Sequence, residues 1–319
     1  MKIVVTGALG HIGSRLVRDL PLYFPDAEIV MIDNMMTQRY AALFDLPALG
    51  HYRFAQMDMV KGALAALVEG AHAVVHLAAI TDAAGSFGRA AEVEANNFHA
   101  TERLAHLCAE KGVRLIALSS TSVYGTQAAV VSEDCSVDEL KPQSPYAETK
   151  LKEEALVTSL AANNGLRAVS CRFGTIFGVS PGMRFHTAVN KFCWQAVMRE
   201  PLSVWRTAYE QKRPYLDLTD AVRAIAHILE KDVFDGRIYN VLTLNATVRN
   251  IVEAIQVFAP RLEVNFVDNK IMNQLSYEVA CDRFSATGFE FCGDLRRGVG
   301  ETVALLRRAN AFQDEEKGG

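Results

Sequence analysis

No apolar stretch in the 319 residues approaches the roughly 20 needed to span a bilayer. The opening residues, MKIVVTG, lack the charged, apolar and small-residue succession of a secretory leader. Six cysteines, Cys108, Cys135, Cys171, Cys193, Cys281 and Cys292, are scattered without the short spacings of a zinc site, so no metal is expected. Reduced thiols in the cytoplasm are the simplest expectation, with no membrane partner. Blocks of like charge are absent too, apart from the terminal QDEEKGG, which reads as a solvated end. A net charge of -4 and a pI near 6.1 speak against a general nucleic-acid binder. There is no internal repeat and no low-complexity segment. What the chain has in quantity is hydrophobic residues, 50% of the total, enough to fill a sizeable core.

Those residues fall into short β-branched runs: KIVVTG, EIVMID, AVVHLAA, RLIALSS, RAVSCRF and RIYNVL, with YRFAQMD more polar. Runs this apolar suit strands covered on both faces, as in a parallel sheet. Between them lie helical stretches such as HIGSRLVRDL, where Ile12, Leu16, Val17 and Leu20 recur at helical spacing. The alternation predicts an α/β, doubly wound (Rossmann) parallel sheet. After about Thr175 the pattern changes. Six cations (Arg184, Lys191, Arg199, Arg206, Lys212 and Arg213) face only Glu200 and Glu210 between residues 175 and 215. The expected organisation is a nucleotide-binding domain of residues 1–174 plus about 236–260. A smaller, discontinuous C-terminal substrate-binding lobe takes about 175–235 plus 261–313, and 314–319 form a flexible tail.

VVTGALGHIGSRL follows the first strand and opens the first helix, with glycines at Gly7, Gly10 and Gly13 around His11 and Ile12. Glycine permits the tight turn, the approach of backbone N–H groups to a pyrophosphate, and close packing of helix on strand. The helix N-terminus adds partial positive charge. Asp33, beside Asn34, ends the second strand, where a carboxylate accepts hydrogen bonds from the adenosine ribose hydroxyls and repels a 2′-phosphate. That predicts NAD rather than NADP. Asp58, beside Met59, ends another strand, where an acid can meet the adenine amino group or serve only a turn.

PQSPYAETK contains the second signal. Of nine tyrosines only Tyr146 has a lysine, Lys150, four positions on. On a helix these share a face roughly 5–6 Å apart. An ammonium there favours the phenolate, which can take a proton from a substrate hydroxyl while a hydride leaves the same carbon. A further hydroxyl should orient the substrate oxygen, and LIALSSTSVYG supplies Ser119, Ser120, Thr121 and Ser122 at a strand end.

Taken together, TGALGHIG, IDN, HLAA, NNFHAT, SSTSVYG and PYAETK resemble the extended branch of the short-chain dehydrogenase/reductase family, within it the nucleotide-sugar epimerases and dehydratases. The resemblance runs over essentially the whole chain. It implies Tyr146 as catalytic acid/base, Lys150 also on the nicotinamide ribose, and Ser120 as hydroxyl partner with Thr121 as the alternative. It assigns Leu77, Ala78, Ala79, Asn97 and Phe173 to the cofactor site, and His76 to a buried structural role. Thr81, Ser122, Thr175, Arg184, Asn190 and Arg213 fall to the substrate side. There Arg213 can grip a diphosphate in bidentate fashion. A homodimer through the helices around Glu92 to Lys111 and Tyr146 to Asn163 is implied by the resemblance alone.

The residues after the catalytic hydroxyl narrow the reaction. In this family 4,6-dehydratases carry an Asp-Glu pair there and glucuronate decarboxylases a glutamate two places on, whereas this chain has Thr121 and Ser122. The expectation is therefore a C4 epimerase of a nucleotide-diphosphate sugar with tightly held NAD. The alternatives are a 4-dehydrogenase or 4-keto reductase, a small-substrate enzyme resembling threonine dehydrogenases, and a non-enzymatic NAD sensor. One departure stands out. Thr175 and Phe177 occupy positions where the family commonly has asparagine and tyrosine, and threonine lacks the amide's paired donor and acceptor.

Overall fold

The computed structural model describes residues 1–81, 85–125, 129–268 and 276–309. Its strands, in chain order, are β1 (Lys2–Thr6), β2 (Glu28–Asp33), β3 (His51–Gln56), β4 (Ala73–His76), β5 (Arg114–Ser120), β6 (Val130–Val131), β7 (Ala168–Phe173), β8 (Thr175–Phe177), β9 (Leu202–Trp205), β10 (Lys212–Asp217), β11 (Ile238–Val241), β12 (Leu244–Thr247), β13 (Val264–Val267) and β14 (Glu278–Val279). The helices are α1 (His11–Tyr23), α2 (Ala65–Val68), α3 (Ala90–Lys111), α4 (Pro145–Asn163), α5 (Ala188–Val197), α6 (Leu218–Lys231), α7 (Val248–Gln256), α8 (Asp282–Ser285) and α9 (Leu295–Arg307). The expected tail, 314–319, lies outside the described residues.

Seven strands pair in the order β11-β7-β5-β4-β1-β2-β3, every neighbour parallel. The order reverses between β1 and β4, so their C-terminal ends open a crevice where doubly wound sheets bind ligands. The central strands are apolar because both faces are covered. Ile3, Val5, Ile29 and Met31 point to the α1 and α6 side, and Val4, Val30, Ile32 and Val74 pack with Leu104, Cys108 and Leu160 of α3 and α4. This is the doubly wound sheet that the alternation predicted.

A second unit is built on the three-stranded sheet β12-β10-β8, with α5, α7 and α9 around Val189, Tyr215, Ile251 and Val299. The boundary within it differs from the expectation. Helix α6 was expected in the lobe, yet Leu218, Ala221, Val222, Ile225 and Ile228 bury into the core of the large sheet beside α1. Conversely β12 and α7, expected with the large sheet, contribute Ala246, Ile251, Val252 and Ile255 to the lobe. The reason is amphipathic pairing. Each helix carries one apolar face, and the partner that covers it is remote in sequence.

Candidate active site

The glycine loop is built by contact rather than flexibility alone. Gly7 has φ +63°, and a Cβ on it would lie 2.7 Å from the Ala78 backbone nitrogen; one on Gly13 would lie 2.3 Å from the Gly7 carbonyl oxygen. Any side chain at either position would push α1 off β1 or β1 off β4. At the end of β2 the two oxygens of Asp33 accept the backbone N–H groups of Leu9 (3.1 Å) and Met35 (2.9 Å). The carboxylate is thereby fixed against the loop, at the mouth of a cavity of about 490 Å³.

Of the expected cofactor residues, Gly7, Gly10, His11, Ile12, Gly13, Asp33, Asn34, Met59, Leu77, Ala78 and Ala79 line this cavity, as do Thr81 and Arg184. Asp58 does not. One of its oxygens accepts the N–H groups of Val60 and Lys61, the turn role left open by its sequence. Asn97 is buried and does not face the cavity either: its amide accepts from the Ile80 N–H and donates to the Ile80 carbonyl, bracing the wall from behind. Phe173 is packed into the sheet core. Arg39, which sequence reasoning passed over, does line the cavity, and the charge of Asp33 acts on its guanidinium. A cation following the Asp33 turn was the available signal.

A strap from the second unit crosses the glycine loop. The neutral His11 ring donates from Nε2 to the Gly178 carbonyl (2.7 Å), the Ser180 hydroxyl donates to the His11 carbonyl (2.8 Å), and the Gly182 N–H donates to Ser14 Oγ (2.9 Å). Burial lowers the His11 pKa to about 4, against the opposing pull of the Gly178 carbonyl, so the ring is uncharged at neutral pH. The strap ends at Arg184, which donates to the Thr81 hydroxyl. Asn190, expected to meet substrate, is fully buried. Its amide donates to the Arg184 carbonyl and accepts from the Gly178 N–H, so it shapes the strap instead.

The tyrosine and lysine are not among the residues lining that cavity; they stand at the start of helix α4. Ser144 caps α4 by accepting the Ala147 N–H, and Pro145 occupies its first turn, where the missing N–H costs nothing. This sets Tyr146 on the first turn and Lys150 one turn later. Lys150 is buried and donates to the Leu118 carbonyl of β5 (2.9 Å) and to the Glu153 carboxylate (2.8 Å), with its ammonium 5.8 Å from the Tyr146 ring centre. Burial draws the ammonium pKa down, but the neighbouring Glu153 and Tyr146 outweigh it and hold it above the ordinary lysine value. Strand β4 runs alongside β5 with His76 opposite Ala117, so the cavity wall at Leu77–Ala79 and the Lys150 anchor leave adjacent strand ends.

The hydroxyl run sorts itself by side. Ser119 donates to Glu154, and the Thr121 hydroxyl is buried and donates to the Phe173 carbonyl (3.3 Å). Ser120 is half-buried and accepts from the Ser122 hydroxyl (2.9 Å). A buried network sequence reasoning missed holds this strand end. Arg172 donates two bonds to Glu154 (2.9 and 2.7 Å) and one to the Tyr124 hydroxyl (2.8 Å), which donates to Asn240 (2.9 Å). Its signal was visible: Lys150, Glu153 and Glu154 fall on the same helical face as Val157 and Leu160, where apolar residues belong.

His76 is buried between the Thr6 and Thr101 hydroxyls. Burial, and secondarily the Lys150 charge, lowers its pKa to about 3. It is a neutral strut. Arg213 lies 5.4 Å over the Tyr277 ring, and the Tyr277 hydroxyl donates to the Thr121 carbonyl (3.2 Å), which ties this arginine to the hydroxyl segment. Thr175 pairs with Tyr215 at the junction of the units. Among the described residues no three His, Cys, Asp or Glu side chains gather as a metal site, and no helix is long and apolar enough to cross a membrane.

Residues 3–241 match the model of the NAD dependent epimerase/dehydratase family. The chain is 31% identical over 286 residues to the uncharacterized UDP-glucose epimerase YtcB of Bacillus subtilis (strain 168), covering 86% of this chain and 88% of that protein. It superposes on MoeE5 in complex with UDP-glucose and NAD with a TM-score of 0.83, 28% identity and coverage of 97% and 100% of the two chains. The UDP-glucuronic acid 4-epimerase of Bacillus cereus, in complex with UDP-glucuronic acid and NAD, shares the fold at a TM-score of 0.87, 24% identity and coverage of 97% and 100%.

Proposed function

The chain belongs to the NAD dependent epimerase/dehydratase family, and within it we propose a C4 epimerase of a nucleotide-diphosphate sugar, acting through NAD that stays bound between turnovers. The observation that carries this reading is the pairing of a buried, charged Lys150 beneath Tyr146 with a hydroxyl segment that continues as Thr121 and Ser122. The first supplies proton transfer at one carbon. The second lacks the carboxylates that dehydration or decarboxylation would require.

The glycine cradle, which any Cβ would fill, and the fixed Asp33 carboxylate fit a dinucleotide with a free 2′-hydroxyl. NAD held in this cradle would supply the hydride acceptor and donor for C4. Tyr146, as phenolate, takes the proton of the C4 hydroxyl, with Ser120 holding the same oxygen; the neutral tyrosine returns it once the 4-keto sugar presents its other face. Lys150 holds the positive charge that makes the phenolate accessible. Arg213, and Arg184 at the end of the strap, are the cations for the diphosphate. The relatives' names favour a uridine nucleotide, so UDP-hexoses are the first substrates to try.

The same proposal includes a homodimer through α3 and α4, checked by light scattering, and a reducing compartment, which suits six unpaired thiols. The decisive experiment takes protein purified without added cofactor. The released nucleotide is identified, and intact protein is incubated with UDP-, GDP-, CDP- and dTDP-sugars. NAD in the protein, an isobaric product and no lasting reduced-nicotinamide absorbance are expected. Tyr146→Phe should lose at least about a hundredfold in turnover yet keep its NAD. Accumulating NADH with a product lighter by two hydrogens would make the chain a 4-dehydrogenase, and silence on every sugar would return it to the small-substrate reading.

A further inference from the structure

The carboxylate beneath the catalytic lysine has no part in the chemistry described so far. Glu153 is 4% exposed and Lys150 5% exposed, with 2.8 Å between Oε2 and Nζ; Glu153 Oε1 is buried without a hydrogen-bond partner among the described residues. A buried carboxylate kept only for packing would satisfy both oxygens, because an unpartnered one costs stability. The other charged or titratable groups around the pair have partners of their own. Glu154 on α4 is spent on Arg172 of β7, and His76 on β4 is neutral between Thr6 and Thr101, the latter on α3. Around Arg172 stand the Tyr124 phenol, bonded to Asn240, the Cys135 thiol and the Glu133 carboxylate, which accepts the Asn240 N–H. Lys150 and Glu153 are thus the charged pair in direct contact beside Tyr146, with Glu154 acting on the lysine from one residue further along α4.

Resting on the acid/base reading of Tyr146, we infer that Glu153 is a positioning residue that sets the working pH of the Tyr146–Lys150 pair. Its carboxylate holds the ammonium against the Leu118 carbonyl and offsets part of its charge at the phenol. The pair then becomes competent at a higher pH than a lone lysine would allow. Removing the charge unmasks the ammonium at Tyr146. For unit charges several ångströms apart in a protein interior, that moves the acid limb by about one to two pH units.

The test is an ultraviolet difference titration of tyrosinate in NAD-loaded protein, with the Tyr146→Phe form of each background subtracted to isolate this phenol. Glu153→Gln should bring the midpoint down by about one unit or more, and Glu153→Asp, which keeps the charge, should restore it most of the way. Glu153→Ala is a second uncharged variant in case the glutamine form does not fold. A midpoint that stays put in the uncharged variants, or moves upward, overturns the inference, even where those variants lose stability. No sugar is needed, so the titration succeeds or fails independently of whether any sugar nucleotide is turned over. Once a substrate is known, the acid limb of kcat should move in the same direction.

Discussion

Replacing Gly182 by alanine tests whether the strap over the glycine loop is what keeps NAD in place. A Cβ on Gly182 would lie 2.2 Å from the Leu9 carbonyl oxygen and 2.5 Å from that of Gly10. Both are backbone atoms of the cradle and cannot swing away, so the strap must lift. Lifting it breaks or stretches the three bonds it makes to the loop through Gly178, Ser180 and Gly182. At about 1 kcal/mol net for each, roughly 3 kcal/mol of closure is lost, and NAD should dissociate about a hundredfold faster. The assay is the NAD content after gel filtration, with the dissociation rate followed by displacement. Gly88→Ala is the control, since a Cβ there meets nothing within 4 Å. If Gly182→Ala kept its NAD with an unchanged dissociation rate, the strap would be a structural tie between the two units and retention would have to be sought elsewhere.

Asp33→Ala should weaken NAD at least about tenfold and leave NADP unaffected or improved, measured by calorimetry on stripped protein; an unchanged ratio would mean that the ribose is held by another group. Arg172→Leu strands Glu154 in the core and should cost about 3–5 kcal/mol in chemical denaturation, whereas replacing both residues by leucine should recover most of it. Acid should destabilise the fold through two histidines. His11 and His76 have folded values of about 4 and about 3, below the ordinary 6.5 of an unfolded chain. The unfolded state therefore binds more protons, and stability is complete above pH 6.5 and falls as pH drops toward the folded values. Each contributes about 1.4 kcal/mol per pH unit in that window. Denaturation midpoints between pH 7 and 4 should show that slope, and His11→Gln should flatten it.

The sheet and cradle could be read from sequence because their signals are local. Apolar runs bounded by glycine or aspartate mark β1, β2, β4 and β5, and the strand-loop-helix succession at Gly7 to Gly13 places itself without reference to anything distant. The division between the units could not be read that way. Leu218 to Lys231 is as amphipathic as a lobe helix, and only α1, some two hundred residues earlier, shows where its apolar face goes. Amide side chains fail for a related reason. Asn97 and Asn190 have the right chemistry for a ligand, but a backbone amide offers the same donor and acceptor, and each found one nearby.

The hydroxyl run marks how far local reading extends. Successive side chains on an extended backbone leave on opposite sides, so Ser119 and Ser120 part company at the end of β5, and the chain turns at Thr121. Ser119 and Thr121 spend their hydroxyls on Glu154 and the Phe173 carbonyl, inside the protein. The alternation itself is legible in SSTS; its phase is not, because it depends on which face of β5 meets α4. Leu115 and Ala117 pack on the α3 and α4 side and Ile116 on the other, and Glu154 and Arg172, charges buried where apolar residues were expected, meet Ser119 on that same side. The residues that least fit a hydrophobic pattern on α4 are thus the ones that hold the hydroxyl segment. In a helix that opens with a tyrosine and a lysine one turn apart, a charged residue on the buried face is the feature to pursue next to that pair itself.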